Sequence, residues 1–442
     1  MRNILVLGAG RSSSALIDYL IGNAGSEDWS ITVGDASLEF AKEKTASSNC
    51  ASAIQFDANS EDAGAIVEKA DVVISLLPPP LHPIVAGLCL KHKKSLLTAS
   101  YLSPAMKGLH SEAENFGLLF LNECGLDPGI DHMSAMYVID RIRGEGGEIF
   151  SFESFTGGLI APDTEPENPW RYKFTWNPRN VVMAGQGTAK FLQNGEFKYI
   201  PYQQLFRRVT PVTVPGYGEF EGYANRDSLG YREAYGLQNI QTMLRGTLRN
   251  KGFCQAWDIL VQLGCTEDSY SMEGVSRMTH HDFMNSFLEF HPEWSVEEKL
   301  VHLFHLRPEG PELTRLNWSG LFDNELVGLE AGTPAQILEH ILNKRWKLSS
   351  QDKDFIIMWH RFRYRQSGVE KEIQAELVAE GQNAVHTAMA RTVGLPLGIA
   401  CKLFLDGKIS SRGVRIPVTR EFYIPILAEL NALGIGLNER EL

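Results

Sequence analysis

Between residues 1 and 122 the chain sets out six short β-rich runs, Ile4 to Leu7, Ile31 to Gly34, Ala53 to Phe56, Val72 to Leu77, Leu96 to Ala99 and Leu118 to Leu121, with helix-like stretches between them. The runs are nearly continuous in apolar residues instead of alternating, so each predicted strand must be covered on both faces. A parallel sheet with helices on either side meets that demand, which makes the amino-terminal part a doubly wound α/β domain.

The first run leads directly into Gly8-Ala-Gly10-Arg11-Ser12-Ser13 and then into an apparent helix through Leu16, Ile17 and Leu20. Glycines at this junction allow a tight turn and the close backbone approach of a pyrophosphate, which helix N-terminal amides then hold. The segment reads as a Rossmann dinucleotide fingerprint in which Ser13 stands for the third glycine. Asp35, at the end of the second run, is placed to accept hydrogen bonds from the adenosine ribose hydroxyls and to repel a 2′-phosphate. This favours NAD, with NADP left possible by nearby Arg11. Asp57, after the third run, admits two readings, a cap on the adenine edge or a surface turn.

From about Gly146 the rhythm gives way to aromatic and proline-rich sequence, which predicts a mixed sheet with long loops. Residues 255–344 are rich in helical spacing and read as a helical insertion. Asp354 to Arg365 alternates Met358, His360, Phe362 and Tyr364 with Trp359, Arg361, Arg363 and Arg365, and Gln366-Ser-Gly368 turns the chain into Val369 to Val378. A hairpin is expected there, with Glu370, Glu372 and Glu376 matching the arginine row across the strands. Ala384 to Val393 and Pro396 to Asp406 read as two helices, the latter packing back on the first domain.

The formal charge of −12 makes nucleic acid an unfavourable partner. No apolar run reaches the ~20 residues of a membrane span. The six cysteines are widely separated and lack a C-x-x-C pair, and the amino terminus has neither a signal h-region nor transit-peptide character, so a cytoplasmic protein with reduced thiols is expected. Neither an H-E-x-x-H metal motif nor a G-x-S-x-G elbow occurs, and no metal is expected.

Two further segments, Thr98-Ala-Ser100-Tyr101 and Glu123-Cys-Gly-Leu126-Asp127-Pro-Gly-Ile-Asp-His132, follow the fifth and sixth runs. Ligands of open α/β sheets bind beyond the carboxyl ends of the strands, which puts both segments where cofactor and substrate meet. Asp127-Pro-Gly also has the composition of a turn and N-cap for the helix that follows.

Gly125-Leu-Asp-Pro-Gly-Ile-Asp-His132, Tyr172-Lys-Phe-Thr-Trp176, Gly222-Tyr-Ala-Asn-Arg-Asp-Ser228, Arg245-Gly-Thr-Leu-Arg249 and Leu405-Asp-Gly-Lys-Ile-Ser-Ser-Arg-Gly413 occur in this order. In these motifs the chain resembles the L-glutamate-forming saccharopine dehydrogenases, also called saccharopine reductases, over nearly its whole length. The resemblance implies a Rossmann domain (1–124, with 384–442 partly packing back), a mixed α/β substrate and dimerisation domain (125–254 and 345–383), and the insertion (255–344). It implies a homodimer that oxidises saccharopine to L-glutamate and 2-aminoadipate 6-semialdehyde, or runs the reverse. Ser100, Tyr101, Asp127, Arg226, Thr247 and Arg249 take substrate-contact roles, Asp127 and Tyr101 are the catalytic candidates, and Leu126 and Trp176 lie on the nicotinamide side. Arg245 is a further carboxylate clamp, and His132 a second candidate for the base, read more readily as structural. Thr156 stands where relatives often carry cysteine, which excludes a catalytic thiol there. Two other readings remain, an enzyme acting on another amine-linked amino acid such as a carboxylated polyamine precursor, and a non-catalytic nucleotide-binding redox sensor.

Overall fold

The computed structural model describes residues 1–46 and 48–442, which divide into two compact units. The first comprises 1–148, 366–369 and 377–439, and the second 149–365, 370–376 and 440–442.

In the first unit all six apolar runs are strands: β1 (Arg2–Leu7), β2 (Trp29–Asp35), β3 (Ala51–Gln55), β4 (Val72–Ser75), β5 (Ser95–Thr98) and β6 (Leu119–Leu121). All are parallel, and a strand not anticipated, Gly413–Arg415, joins the edge beside β6. Every residue of β4, β5 and β6 is buried, as strands covered on both faces require. Crossover helices include α1 (Ser14–Glu27), α2 (Leu38–Thr45), α3 (Ala63–Glu68) and α4 (His82–His92). The order β6-β5-β4-β1-β2-β3 reverses at β1, which pairs with both β2 and β4. That reversal opens a crevice beyond the carboxyl ends of β1 and β4, the position where such sheets take their ligands.

The first unit runs past residue 124 to Glu148 because the helix Ile130–Gly144 is tied into it. Tyr423 donates its hydroxyl to Asp140 at 2.6 Å, and Arg141 pairs with Glu439. A single helix, Ala388–Leu405, replaces the two helices read on either side of Pro396. Packing outweighs the local break: a β-carbon on Gly394 would lie 2.8 Å from the Leu16 amide nitrogen, and one on Gly398 would lie 2.6 Å from the Tyr19 ring, so the helix is pressed against α1.

The second unit holds a mixed sheet. β7 (Glu148–Ile160) is followed by β8 (Thr188–Gln193), β9 (Glu196–Pro201), β10 (Val209–Val214), β11 (Gly218–Ala224), β12 (Thr242–Asn250), β13 (Asp354–Gln366) and β14 (Val369–Glu380). Its central order is β10-β11-β12-β7-β13-β14, with β12 parallel to β7 and antiparallel to β11. Helices Phe253–Leu263, His280–Asn285, Val296–Phe304, Pro311–Trp318 and Pro334–Trp346 lie between β12 and β13 in the chain. The β13–β14 hairpin forms at the expected turn. Of the arginine row, Arg365 pairs with Glu370 at 2.7 Å, but Arg361 pairs with Glu153 of β7. β13 has β7 on its other side, so an arginine there reaches whichever neighbouring strand carries the nearer carboxylate.

Candidate active site

The turn after β1 is shaped by backbone geometry. Gly8 has φ 105°, and a β-carbon there would meet the Leu76 carbonyl oxygen at 3.0 Å, so only glycine fits. Around Gly10, by contrast, a β-carbon would meet nothing within 4 Å, which leaves the outer side of the turn open to a close-lying pyrophosphate. Gly10 and Arg11 are exposed and Ser12 is half-buried. Ser13 is buried and donates its hydroxyl to the Gly10 carbonyl at 2.8 Å, closing the turn into α1. Asp35 accepts from the Ala9 amide at 2.7 Å and from the Ser37 amide at 2.9 Å. Its carboxylate is thus fixed against the glycine turn and braces it, a duty the sequence did not reveal, while each oxygen keeps a lone pair for a ribose hydroxyl. These residues fit a dinucleotide. Asp57 is exposed and accepts from the Asn59 amide at 2.9 Å, so it shapes its own turn.

At the carboxyl ends of β4 and β5, buried His82 contacts three hydroxyls. Its Nδ1 lies 3.0 Å from Ser75 Oγ, and its Nε2 lies 2.7 Å from Ser100 Oγ and 3.4 Å from Thr98 Oγ1. Burial pushes the imidazole pKa down to about 4. His82 carried no role in the sequence reading. The signal was there, a histidine opening a helix after Pro78-Pro79-Pro80, just past the end of β4.

Tyr101 donates its hydroxyl to Asp127 at 3.2 Å, which joins the two candidate catalytic groups. Both are half-buried, with access to solvent. Asp127 does not cap the following helix. The N-cap is Gly129 with no side-chain cap, and it is Asp131 that accepts from the Gly129 amide, at 2.6 Å. Gly129 has φ 147°, and a β-carbon there would fall 2.1 Å from the Gly125 carbonyl oxygen, so the loop carrying Leu126 and Asp127 closes tightly on itself. Beneath it Glu123, 3% exposed, accepts from the Leu102 amide at 2.8 Å and meets His132 Nε2 at 2.8 Å. His132 is fully buried and therefore holds the two loops together instead of meeting substrate. Replacing Glu123 with alanine leaves the Leu102 amide and the imidazole without this partner. That change is expected to cost about 3–5 kcal/mol of stability in denaturant unfolding. A loss below about 1 kcal/mol would show that the pair does not hold the loops.

In the second unit β12 carries Arg245, Thr247 and Arg249 on one face, in register with Ser154 and Thr156 of β7 and, for Thr247, with Tyr223 of β11. Arg249 is 4% exposed. Its guanidinium lies over the rings of Tyr172 at 5.0 Å, Phe253 at 5.3 Å and Tyr223 at 5.8 Å. The cross-strand neighbour Glu221 turns its carboxylate onto the amides of Gly252 and Cys254, at 2.7 and 3.0 Å. Burial pushes the Tyr172 hydroxyl up to about 12, against the pull of the Arg249 charge, so no phenolate balances that charge. Arg249 therefore has no anionic partner among the described residues; Nη1 donates to the Leu248 carbonyl, and buried Nε has no hydrogen-bond partner. An isolated buried cation is expensive unless an incoming anion completes it.

The other candidates are placed differently. Arg245 is buried with its guanidinium 4.4 Å from the Tyr231 ring centre. Arg226 is exposed, with φ 47°. Leu126 is buried, and Thr247 and Trp176 are half-buried. Among the described residues one group has metal-ligand spacing, His280, Asp323 and Glu325, but the Lys344 ammonium already contacts His280 at 3.0 Å and Glu325 at 2.9 Å.

Residues 4–121 match the family model described as the saccharopine dehydrogenase NADP binding domain, and residues 125–435 the saccharopine dehydrogenase C-terminal domain. The mitochondrial alpha-aminoadipic semialdehyde synthase of Mus musculus is 35% identical over 99% of the chain, which spans 47% of that relative's length. The NADP(+), L-glutamate-forming saccharopine dehydrogenase of Saccharomyces cerevisiae is 31% identical over 99% of both chains. The apo structure of the L-Glu-forming yeast enzyme superposes with a TM-score of 0.90 over the whole of both chains. A homospermidine synthase from Legionella pneumophila, 11% identical with a TM-score of 0.57, shares the fold. Matched by both family models and by full-length relatives, the chain belongs to the saccharopine dehydrogenase family.

Proposed function

We propose that the protein oxidises saccharopine to L-glutamate and 2-aminoadipate 6-semialdehyde with a nicotinamide dinucleotide, or catalyses the reverse condensation. The observation that carries this reading is Arg249, a buried guanidinium caged by aromatic rings and lacking an anion among the described residues. Saccharopine brings three carboxylates, and a guanidinium fork binds a carboxylate through two hydrogen bonds. A nucleotide-binding sensor has no use for such a group.

Oxidation needs the secondary amine unprotonated, because its lone pair drives out the hydride. Asp127 takes the ammonium proton, oriented by the Tyr101 hydroxyl. A bound nicotinamide supplies the hydride acceptor. The resulting imine is hydrolysed by water, which releases glutamate and the semialdehyde, while Ser100 and Thr247 hydrogen-bond substrate and Arg249, Arg226 and Arg245 hold its carboxylates. Purified protein given saccharopine and either oxidised dinucleotide should show a saccharopine-dependent rise in reduced-nicotinamide absorbance; no change with either cofactor would sink the assignment.

The same proposal takes NAD as the preferred cofactor, since the Asp35 carboxylate at the glycine turn repels a 2′-phosphate. Replacing Asp35 with alanine should shift the NADP-to-NAD ratio of kcat/KM toward NADP by about tenfold or more. The NAD KM should rise as well, because the Ala9 and Ser37 amides lose their acceptor. An unchanged ratio would refute the role of Asp35. A cytoplasmic homodimer completes the proposal: all six cysteines are free, which suits a reducing compartment, and sedimentation tests the dimer.

A further inference from the structure

His82 is joined to Ser100 by the shortest contact in its surroundings, and the Ser100 amide in turn donates to Thr98 Oγ1 at 3.2 Å. Ser75, Thr98 and His82 are buried, while Ser100 is half-buried. The bracket therefore grips Ser100 from beneath, at the end of β5 and beside the crevice where the strand order reverses. A serine hydroxyl has one hydrogen to donate and two lone pairs. Whichever ring nitrogen carries the proton, the contact at Nε2 occupies one of these three capacities and restricts the rotation of the hydroxyl, so the two that remain are confined in direction.

We propose that His82 is a positioning residue for the reaction, acting through Ser100 by fixing that hydroxyl for hydrogen bonding to a carboxylate or amine of the substrate; this rests on the assignment of saccharopine as substrate. Two features separate this role from that of an ordinary core histidine. Both ring nitrogens are engaged by hydroxyls that end strands of the ligand-binding edge, and the only half-buried member of the set is Ser100. Burial, together with the position of His82 in the first turn of α4, disfavours the imidazolium, so the ring does not bind an anion itself.

The test is a double-mutant cycle on the full-length protein, with kinetics in saccharopine and separately in the dinucleotide. Each of His82→Ala and Ser100→Ala is expected to lower kcat/KM for saccharopine about tenfold, with the dinucleotide KM near its wild-type value. The double variant should be no worse than the weaker single one, because both remove the same hydroxyl geometry. His82→Gln, whose amide can reach the same hydroxyl, should recover most of the lost activity and serves also if the alanine variant does not fold. Losses that multiply in the double variant, or a glutamine variant as impaired as alanine, would overturn the inference. The wild-type enzyme separates the two levels: without saccharopine turnover the functional reading itself fails, and with turnover only the role of His82 is at stake.

Discussion

Replacing Arg249 with methionine is expected to lower kcat/KM for saccharopine by about a hundredfold or more while leaving the protein as stable as before, or more so. The two effects have one cause. In the free protein the guanidinium is buried against Tyr172, Phe253 and Tyr223 with no carboxylate beside it among the described residues, so its desolvation is offset by one hydrogen bond to the Leu248 carbonyl and by ring contacts of about 1 kcal/mol or somewhat more each. A methionine fills similar space without that cost. In the complex the substrate carboxylate would supply the missing charge, and removing a fully desolvated partner typically costs about 2–5 kcal/mol of binding. Arg249→Lys keeps the charge but not the fork and should fall between the two. A methionine variant that loses stability and keeps its activity would show that Arg249 is a core residue and not a carboxylate site.

Replacing Asp127 with asparagine should reduce kcat by about 10²–10⁴, the usual contribution of a positioned acid or base. The amide keeps the shape of the side chain and still accepts from Tyr101, so folding is expected to survive. Tyr101→Phe, which removes the orienting hydrogen bond to Asp127, should lose about tenfold. If Asp127→Asn retains activity within about threefold of wild type, water takes the proton without the carboxylate and the mechanism must be redrawn.

How much of this was legible in the sequence follows from the physics of each element. Six strands were readable because a parallel strand buried on both faces is a nearly unbroken apolar run. Gly413–Arg415 was not, since three residues carry no periodicity and the strand's partner, β6, lies far back in the chain. Pro396 reads as a helix break, but close packing of Gly394 and Gly398 on α1 carries the helix through it. Motif and strand position singled out Asp35, Ser100, Tyr101, Asp127 and Arg249 as candidates. What those residues touch could not be read. The isolation of Arg249 depends on Glu221 turning toward two backbone amides, the absence of a capping role for Asp127 depends on Gly129 serving as the N-cap, and the bracket on Ser100 depends on the end of β4 lying beside the end of β5.

The most direct measurement is the identity of the products. Protein incubated with saccharopine and NAD should form L-glutamate and the semialdehyde, one of each for every NADH produced. Formation of lysine and 2-oxoglutarate instead would mean that the C–H on the other side of the bridging nitrogen is oxidised, which contradicts a glutamate-forming enzyme.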